Sequence, residues 1–159
     1  MASFKVSDGI DNYISQLQNC LGKTEDIIKR SAYEGARVVM DTVKAEAGGI
    51  PTHTKRADYV VGLTPTQKSC VIASLGIAKF RQDGNFINVK IGSDGYNNTR
   101  TKKYPNGQPN AMIIRSLESG TSFRSAYPFV SRAVSKSRSK AIEMMRKQCD
   151  EEVKKYIQT

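Results

Sequence analysis

The chain has 159 residues, with 38% hydrophobic and 25% charged content and a formal charge of +10. That length fits one domain with a real core, here 1–159. No apolar run approaches the roughly 18 residues that span a bilayer: the best, Cys70 to Ala78, is half that, so no membrane role is expected. The first residues, MASFKVSDGIDNY, lack the apolar core of a secretion signal. Cys20, Cys70 and Cys149 are far apart, and free thiols in a reducing compartment are expected.

The charge is uneven. Residues 1–50 carry six Lys/Arg against seven Asp/Glu, residues 51–115 ten against three, and residues 116–159 nine against five. A basic middle and C-terminal part favours an anionic partner without choosing among nucleic acid, an acidic protein face and a membrane surface.

In chain order, SDGIDNYISQLQNCLG reads as an amphipathic helix with Ile10, Ile14, Leu17 and Leu21 on one face and Gly22 at its end. Thr24 reads as the N-cap of a second helix, with Glu25 and Asp26 in its first turn. Its stripe is Ile28, Ala32, Ala36, Val39, Val43 and Ala47, and GGIP stops it. Residues 51–63 read as a loop. Thr64, Pro65 and Gln67 form a capping-box pattern for a short helix stopped at Gly76. Residues 76–95 alternate as a hairpin turning at Asp83-Gly84.

Ser93 to Asn110 is a long polar loop with a basic knot, Arg100, Lys102 and Lys103, between Tyr96 and Tyr104. Loops of that length are usually functional or disordered. AMIIRSLESG fits either a helix capped by Asn110 and ended at Gly120 or a strand over Met112 to Leu117. Pro128 suits the first turn of a last helix of about seven turns. Its apolar stripe is Val130, Val134, Ser137, Ala141, Met145, Cys149, Val153 and Tyr156. The pattern predicts an α+β domain: N-terminal amphipathic helices and a long C-terminal helix packed on a small antiparallel sheet.

The chemistry-bearing residues are sparse. His53 is the single histidine, and no G-x-S-x-G elbow accompanies it. Around Ser122, ESGTSF lacks the second glycine of such an elbow. LGKT, at Leu21 to Thr24, has Leu17 where a phosphate-binding loop needs its first glycine. One His and three scattered Cys give no zinc spacing, and SDGYNN lacks the alternating acids of a calcium loop. Glu151 and Glu152 are adjacent, which points them apart on a helix, as a solvated face. No catalytic, metal or cofactor site is expected. The basic knot supports phosphate contacts of a sequence-independent kind, but no helix-turn-helix, zinc finger or aromatic binding sheet accompanies it.

A first long helix ending in VKAEAGGIP, a middle hairpin, then ESGT, a short spacer and PFVSRAV before a basic helix resembles the head–tail joining, or tail-completion, neck proteins of tailed bacteriophages. The similar part runs from about Gly9 to the end. Its most specific residues are Glu118, Gly120, Thr121, Pro128, Phe129 and Ala133. GIAKFRQDGNFINVKIGSDGYN and TKKYPNGQPNAMIIRSLESGTS look like the branch found in phages and prophage-like elements of low-GC Gram-positive bacteria. The chain departs from the family after Pro51, where an acid–Thr–Gly–x–Leu pattern is replaced by Thr52-His53-Thr54 and a longer insertion before Gly62-Leu63.

The resemblance implies a non-enzymatic virion subunit, made in the host cytoplasm. It would form a homo-oligomeric ring, hexameric like the tail or dodecameric like the portal, between the head connector and a tail-terminator or tail-tube ring. Residues 93–110 would reach a neighbouring subunit, an adjacent ring or DNA in the channel. Arg100, Lys102, Lys103, Tyr104, Arg115, Glu118 and Arg124 are the expected subunit or ring contacts. Gly120, Thr121, Pro128 and Phe129 are the expected structural joint. Glu25, Asp26, Glu34 and Asp41 offer an acidic patch that the basic part of a neighbour could face.

Overall fold

The computed structural model describes residues 7–53, 60–84 and 86–157. The elements are α1 (Ser7–Gly22), α2 (Thr24–Gly48), α3 (Pro65–Ser74), β1 (Leu75–Ile77), β2 (Arg81–Asp83), β3 (Phe86–Asn88), β4 (Ile91–Ser93), α4 (Asn110–Ser119) and α5 (Phe129–Ile157). This is the expected α+β class. The main packing of α5, however, is against α2 rather than against the sheet.

The two long helices run antiparallel. Arg30 meets Glu152 at one end, Gly35 faces Ala141 and Met145 midway, and Glu46 meets Arg132 and Lys136 at the other end. The seam is made of small side chains. Ser31, Gly35 and Ala36 of α2 are buried, as are Ala133, Ser137 and Ala141 of α5. A Cβ on Gly35 would lie 2.4 Å from Met145 Cγ, so the glycine permits the approach. The buried hydroxyls cost little, because each donates to its own helix: Ser31 Oγ to Ile27 O at 2.8 Å and Ser137 Oγ to Ala133 O at 2.7 Å.

This seam corrects the expected stripes in part: Ala36, Val43, Ala47, Ser137 and Ala141 are buried as expected. Ile28 and Val134 are exposed (45% and 46%), while Ile27, Phe129 and Ala133 are buried. Periodicity finds an apolar face to within one position. The choice between adjacent faces falls to the one whose small side chains let two backbones come close. Glu152 is a second correction. Rather than lying on a solvated face it is 2% exposed, bonded to Arg30 Nη1 at 2.8 Å, Lys155 Nζ at 2.6 Å and Gln148 Nε2 at 3.1 Å.

α1 and α2 are separated by Lys23 alone, whose backbone (φ −107°, ψ 5°) breaks the helix. Thr24 does not cap α2 as expected. Its hydroxyl instead donates back to Leu21 O at 2.9 Å, satisfying the end of α1. At the far end of α2, Lys68 Nζ donates to Gly48 O and Ile50 O at 2.7 Å each, placing a cation on the negative end of the helix dipole.

Thr64, Pro65 and Gln67 form the expected capping box on α3. The helix stops at Ser74, and Gly76 lies inside β1 rather than ending the helix. β1 pairs with β4 (Gly76 opposite Gly92) and β2 with β3 (Gln82 opposite Ile87). The two ladders are one hairpin interrupted by a bulge: residues 78–80 on the outgoing side face only 89 and 90 on the return. The turn is where it was expected, with Gly84 at φ 61°.

Leu63, Val71, Leu75, Ile113, Leu117 and Phe129 close a core over Met40, Val43 and Ala47 of α2. The core therefore sits at the α2 C-terminal, α5 N-terminal end of the helix pair. Gly62 is required there. It has φ 80°, and a Cβ would lie 1.9 Å from Pro51 O, which accepts from Leu63 N–H at 3.0 Å. Leu63 is thus held beside Pro51 and Thr52, and it is fully buried.

Candidate functional site

Two regions carry the candidate residues, at opposite ends of α4, which spans about 15 Å at 1.5 Å per residue. The first is the segment between β4 and α4. It is not an open loop but a closed projection with its own ladder. Asn110 N–H bonds Gly95 O (3.1 Å), Asn97 N–H bonds Gln108 O (2.9 Å), Gln108 N–H bonds Thr99 O (3.1 Å), and Thr101 and Tyr104 exchange bonds of 3.1 and 3.0 Å. Asn97 is 2% exposed, and its Oδ1 accepts from Thr99 N–H at 2.6 Å. Gly107 has φ 105°, and any Cβ would meet Asn97 O at 2.0 Å. Gln67 Nε2 donates to Gln108 Oε1 at 3.1 Å and ties the projection to α3.

That closure presents the basic knot at the tip. Arg100, Lys102 and Lys103 are exposed, Tyr104 is half-buried, and the Lys103 ammonium sits 5.7 Å from the Tyr104 ring centroid. None of the three cations has an acid within 4.0 Å among the described residues. Tyr96, at the base, is 67% exposed. Arg115 is exposed on α4.

The second region is the connector from α4 to α5. Gly120 ends α4 at φ 69°, ψ 175°. Thr121 and Arg124 then exchange backbone bonds of 2.9 and 3.2 Å, and Tyr127 N–H reaches back to Leu117 O at 2.6 Å. The connector also binds the strand-like Val60: Val60 N–H donates to Phe123 O and Ser125 N–H donates to Val60 O. Phe129 is fully buried and anchors the first turn of α5, with Pro128 half-buried before it.

Glu118 has a specific position here. Its carboxylate accepts from Val130 N–H at 2.6 Å, Ser131 N–H at 3.3 Å and Ser131 Oγ at 2.8 Å. An acid from α4 thereby caps the positive end of α5. Glu118 and Phe129 both fix the start of α5, one by charge and one by burial.

Arg124 is placed differently from the expectation of a subunit contact. It is 8% exposed, and its Nη1 donates to Ser116 Oγ at 2.7 Å. Burial draws its guanidinium below the usual arginine range. What it organises is the connector inside the protomer. Tyr127, which was not singled out from sequence, completes the arrangement. Its hydroxyl donates to Gly49 O at 2.9 Å, and the Arg132 guanidinium stacks 4.2 Å from its ring centroid. Arg132 and Lys136 then meet Glu46 at 3.5 and 2.5 Å. The Lys136 hydrogen bond, backed by the charges of Lys136 and Arg132, outweighs desolvation and holds the Glu46 carboxyl below its ordinary range. No sequence spacing links Tyr127 to Gly49 or Arg132 to Glu46.

Among the described residues no group of three His, Cys, Asp or Glu is placed to hold a metal ion. No described helix is long and apolar enough to cross a membrane. Comparison with family models, with curated proteins and with solved structures finds no match.

Proposed function

We propose that the chain is a structural subunit of a phage, or phage-tail-like, neck ring that joins the head connector to the tail or completes the tail end, acting by assembly rather than catalysis. The reading rests on the resemblance carried by Glu118, Gly120, Thr121, Pro128 and Phe129. The observation that supports it most is that these residues form one mechanical unit: an acid cap, a glycine turn and a buried phenylalanine that together aim α5. A subunit whose task is to hold a long helix at a fixed angle within a ring needs such a joint. The closed basic projection supplies a rigid arm toward a neighbouring subunit, an adjacent ring or the DNA channel.

The test is the native mass of the purified chain, with class averages by electron microscopy. Ring-shaped particles of six or twelve subunits support the proposal, and a monomer at all concentrations refutes it. A second reading, a nonspecific nucleic-acid-binding module using the basic loop and the C-terminal helix, is favoured by the exposed cations Arg100, Lys102 and Lys103, none with an acid within 4.0 Å among the described residues. Titration of duplex DNA at several salt concentrations separates the two. Steep salt-dependent binding by a monomer, abolished by charge reversal at those three positions, selects the second.

A further inference from the structure

Two charge-free apolar surfaces lie at opposite ends of the α2–α5 pair, and both remain partly open among the described residues. The first is a ridge on α1. Ile14, Leu17 and Leu21 lie at helical spacing along one face and are 45%, 37% and 74% exposed. The second is a groove of about 310 Å³ beside β4. Val43 and Leu75 form its floor, Ile91, Ile114 and Val130 its walls, and Ala111 its mouth. Along β4 the backbone of Ile91 and Ser93 faces outward, since the ladder to β1 runs through Gly92 and Lys90.

The two surfaces cannot meet within one chain. The ridge joins α2 before Ile27, and the groove opens at Val43, about 24 Å further along the helix at 1.5 Å per residue. The rims carry both signs of charge. Lys29 is bonded to Glu25, which leaves exposed Lys23 and Asp26 at the ridge end. Exposed Lys90 and Asp94 flank the groove's β4 residues in sequence, and exposed Arg115 follows Ile114 on α4. Each surface is thus flanked by exposed charges of both signs, which allows ion pairs between copies.

From these features we infer that the occupant of the groove is a second copy of this chain, with Leu17 and Leu21 of one subunit seated against Ile91, Ile114 and Val130 of the next. The inference rests on the ring reading and names its contact. Because ridge and groove are different surfaces, the contact is head-to-tail, and repetition closes a ring or grows a filament rather than stopping at a dimer. One such contact is small beside the ~800 Å² per partner of a standard interface. Closure gives each subunit two, so assembly is expected to be weak for a pair and strong for the closed ring.

The experiment uses the full chain and sedimentation velocity, with native mass spectrometry for stoichiometry. The ridge variant is Leu17→Ser with Leu21→Ser. The groove variant is Ala111→Trp, which blocks the mouth from an exposed position and leaves the core untouched. Circular dichroism confirms that both fold. Each variant alone should self-associate on the order of a hundredfold more weakly than the parent chain. Mixed in equal amounts, they should give nothing larger than a heterodimer, because only one ridge and one groove remain, on different chains. Parent rings accompanied by unimpaired rings of either folded variant overturn the ridge-and-groove contact and leave the ring reading intact. A mixture that forms anything larger than a heterodimer also overturns it. A parent chain that stays monomeric overturns both.

Discussion

Glu118 is the sharpest point at which to test the joint. Replacing it with alanine removes the acceptor for Val130 N–H, Ser131 N–H and Ser131 Oγ at the start of a helix of 29 residues. Loss of an N-terminal cap costs about 0.5–2 kcal/mol. A carboxylate at the dipole's positive end adds a few tenths to about 1 kcal/mol. The half-exposed site allows water to replace part of what is lost, so Glu118→Ala is expected to cost about 1–2 kcal/mol. For a chain of this size that is a fall of roughly 2–8 °C in Tm. Glu118→Gln keeps an acceptor oxygen and loses the charge, so it should cost about half as much. Urea unfolding followed by circular dichroism gives the free energies, and unchanged m-values would show that the folded and unfolded states remain comparable. If Glu118→Ala changes stability by less than about 0.3 kcal/mol, the carboxylate is not holding α5, and the joint as described is wrong.

Three further expectations follow from the geometry. Gly62 and Gly84 both have positive φ, but a Cβ at Gly62 would strike Pro51 O at 1.9 Å while one at Gly84 meets nothing within 4 Å. Gly84→Ala should therefore cost about 1–2 kcal/mol, the backbone cost alone, and Gly62→Ala more than about 3 kcal/mol; equal costs by urea unfolding would show that crowding at Pro51 is not what fixes Gly62. The Lys155 hydrogen bond, with help from Arg30 and against desolvation, holds the folded pKa of Glu152 below its unfolded value. Its stabilisation is then complete above the unfolded carboxylate range, near pH 4.3, and is lost as pH falls through the lower folded value. Glu152→Gln should flatten the acid limb of stability against pH, and cost about 1–2 kcal/mol at pH 7 because the Arg30 and Lys155 side chains are mostly exposed and the pair is screened by water; an unchanged acid limb removes Glu152 as its cause. Gly107→Ala should open the projection, because its Cβ would displace Asn97 O, and faster amide exchange at Asn97 and Gln108 with unchanged global stability is the expected signature.

Much of the fold is legible in the residues, and the reasons are local. The capping box at Thr64–Gln67 is visible because both partners lie within one turn. The hairpin turn at Gly84 is visible because only glycine enters that region cheaply. The alternatives for Ala111 to Leu117 resolve to a helix, since Ile113 and Leu117 are spaced to meet one core. The joint residues Gly120, Pro128 and Phe129 stand out as turn and helix-start signals. The role of Glu118 does not, because its acceptor geometry spans a connector whose path the sequence does not specify.

What the sequence by itself determined is most of the elements, their class and the basic knot, all of which follow from side-chain type and short-range spacing. Only the tertiary structure decided which helical faces are shared, because a choice between adjacent faces rests on how closely Gly35 and Ala141 let two backbones approach. It also decided that Arg124 and Glu152 are interior while Ile14, Leu17 and Leu21 are not. An ion pair such as Arg30–Glu152, in which only the carboxylate is buried, joins residues 122 positions apart, and no local pattern encodes a distance that folding alone closes.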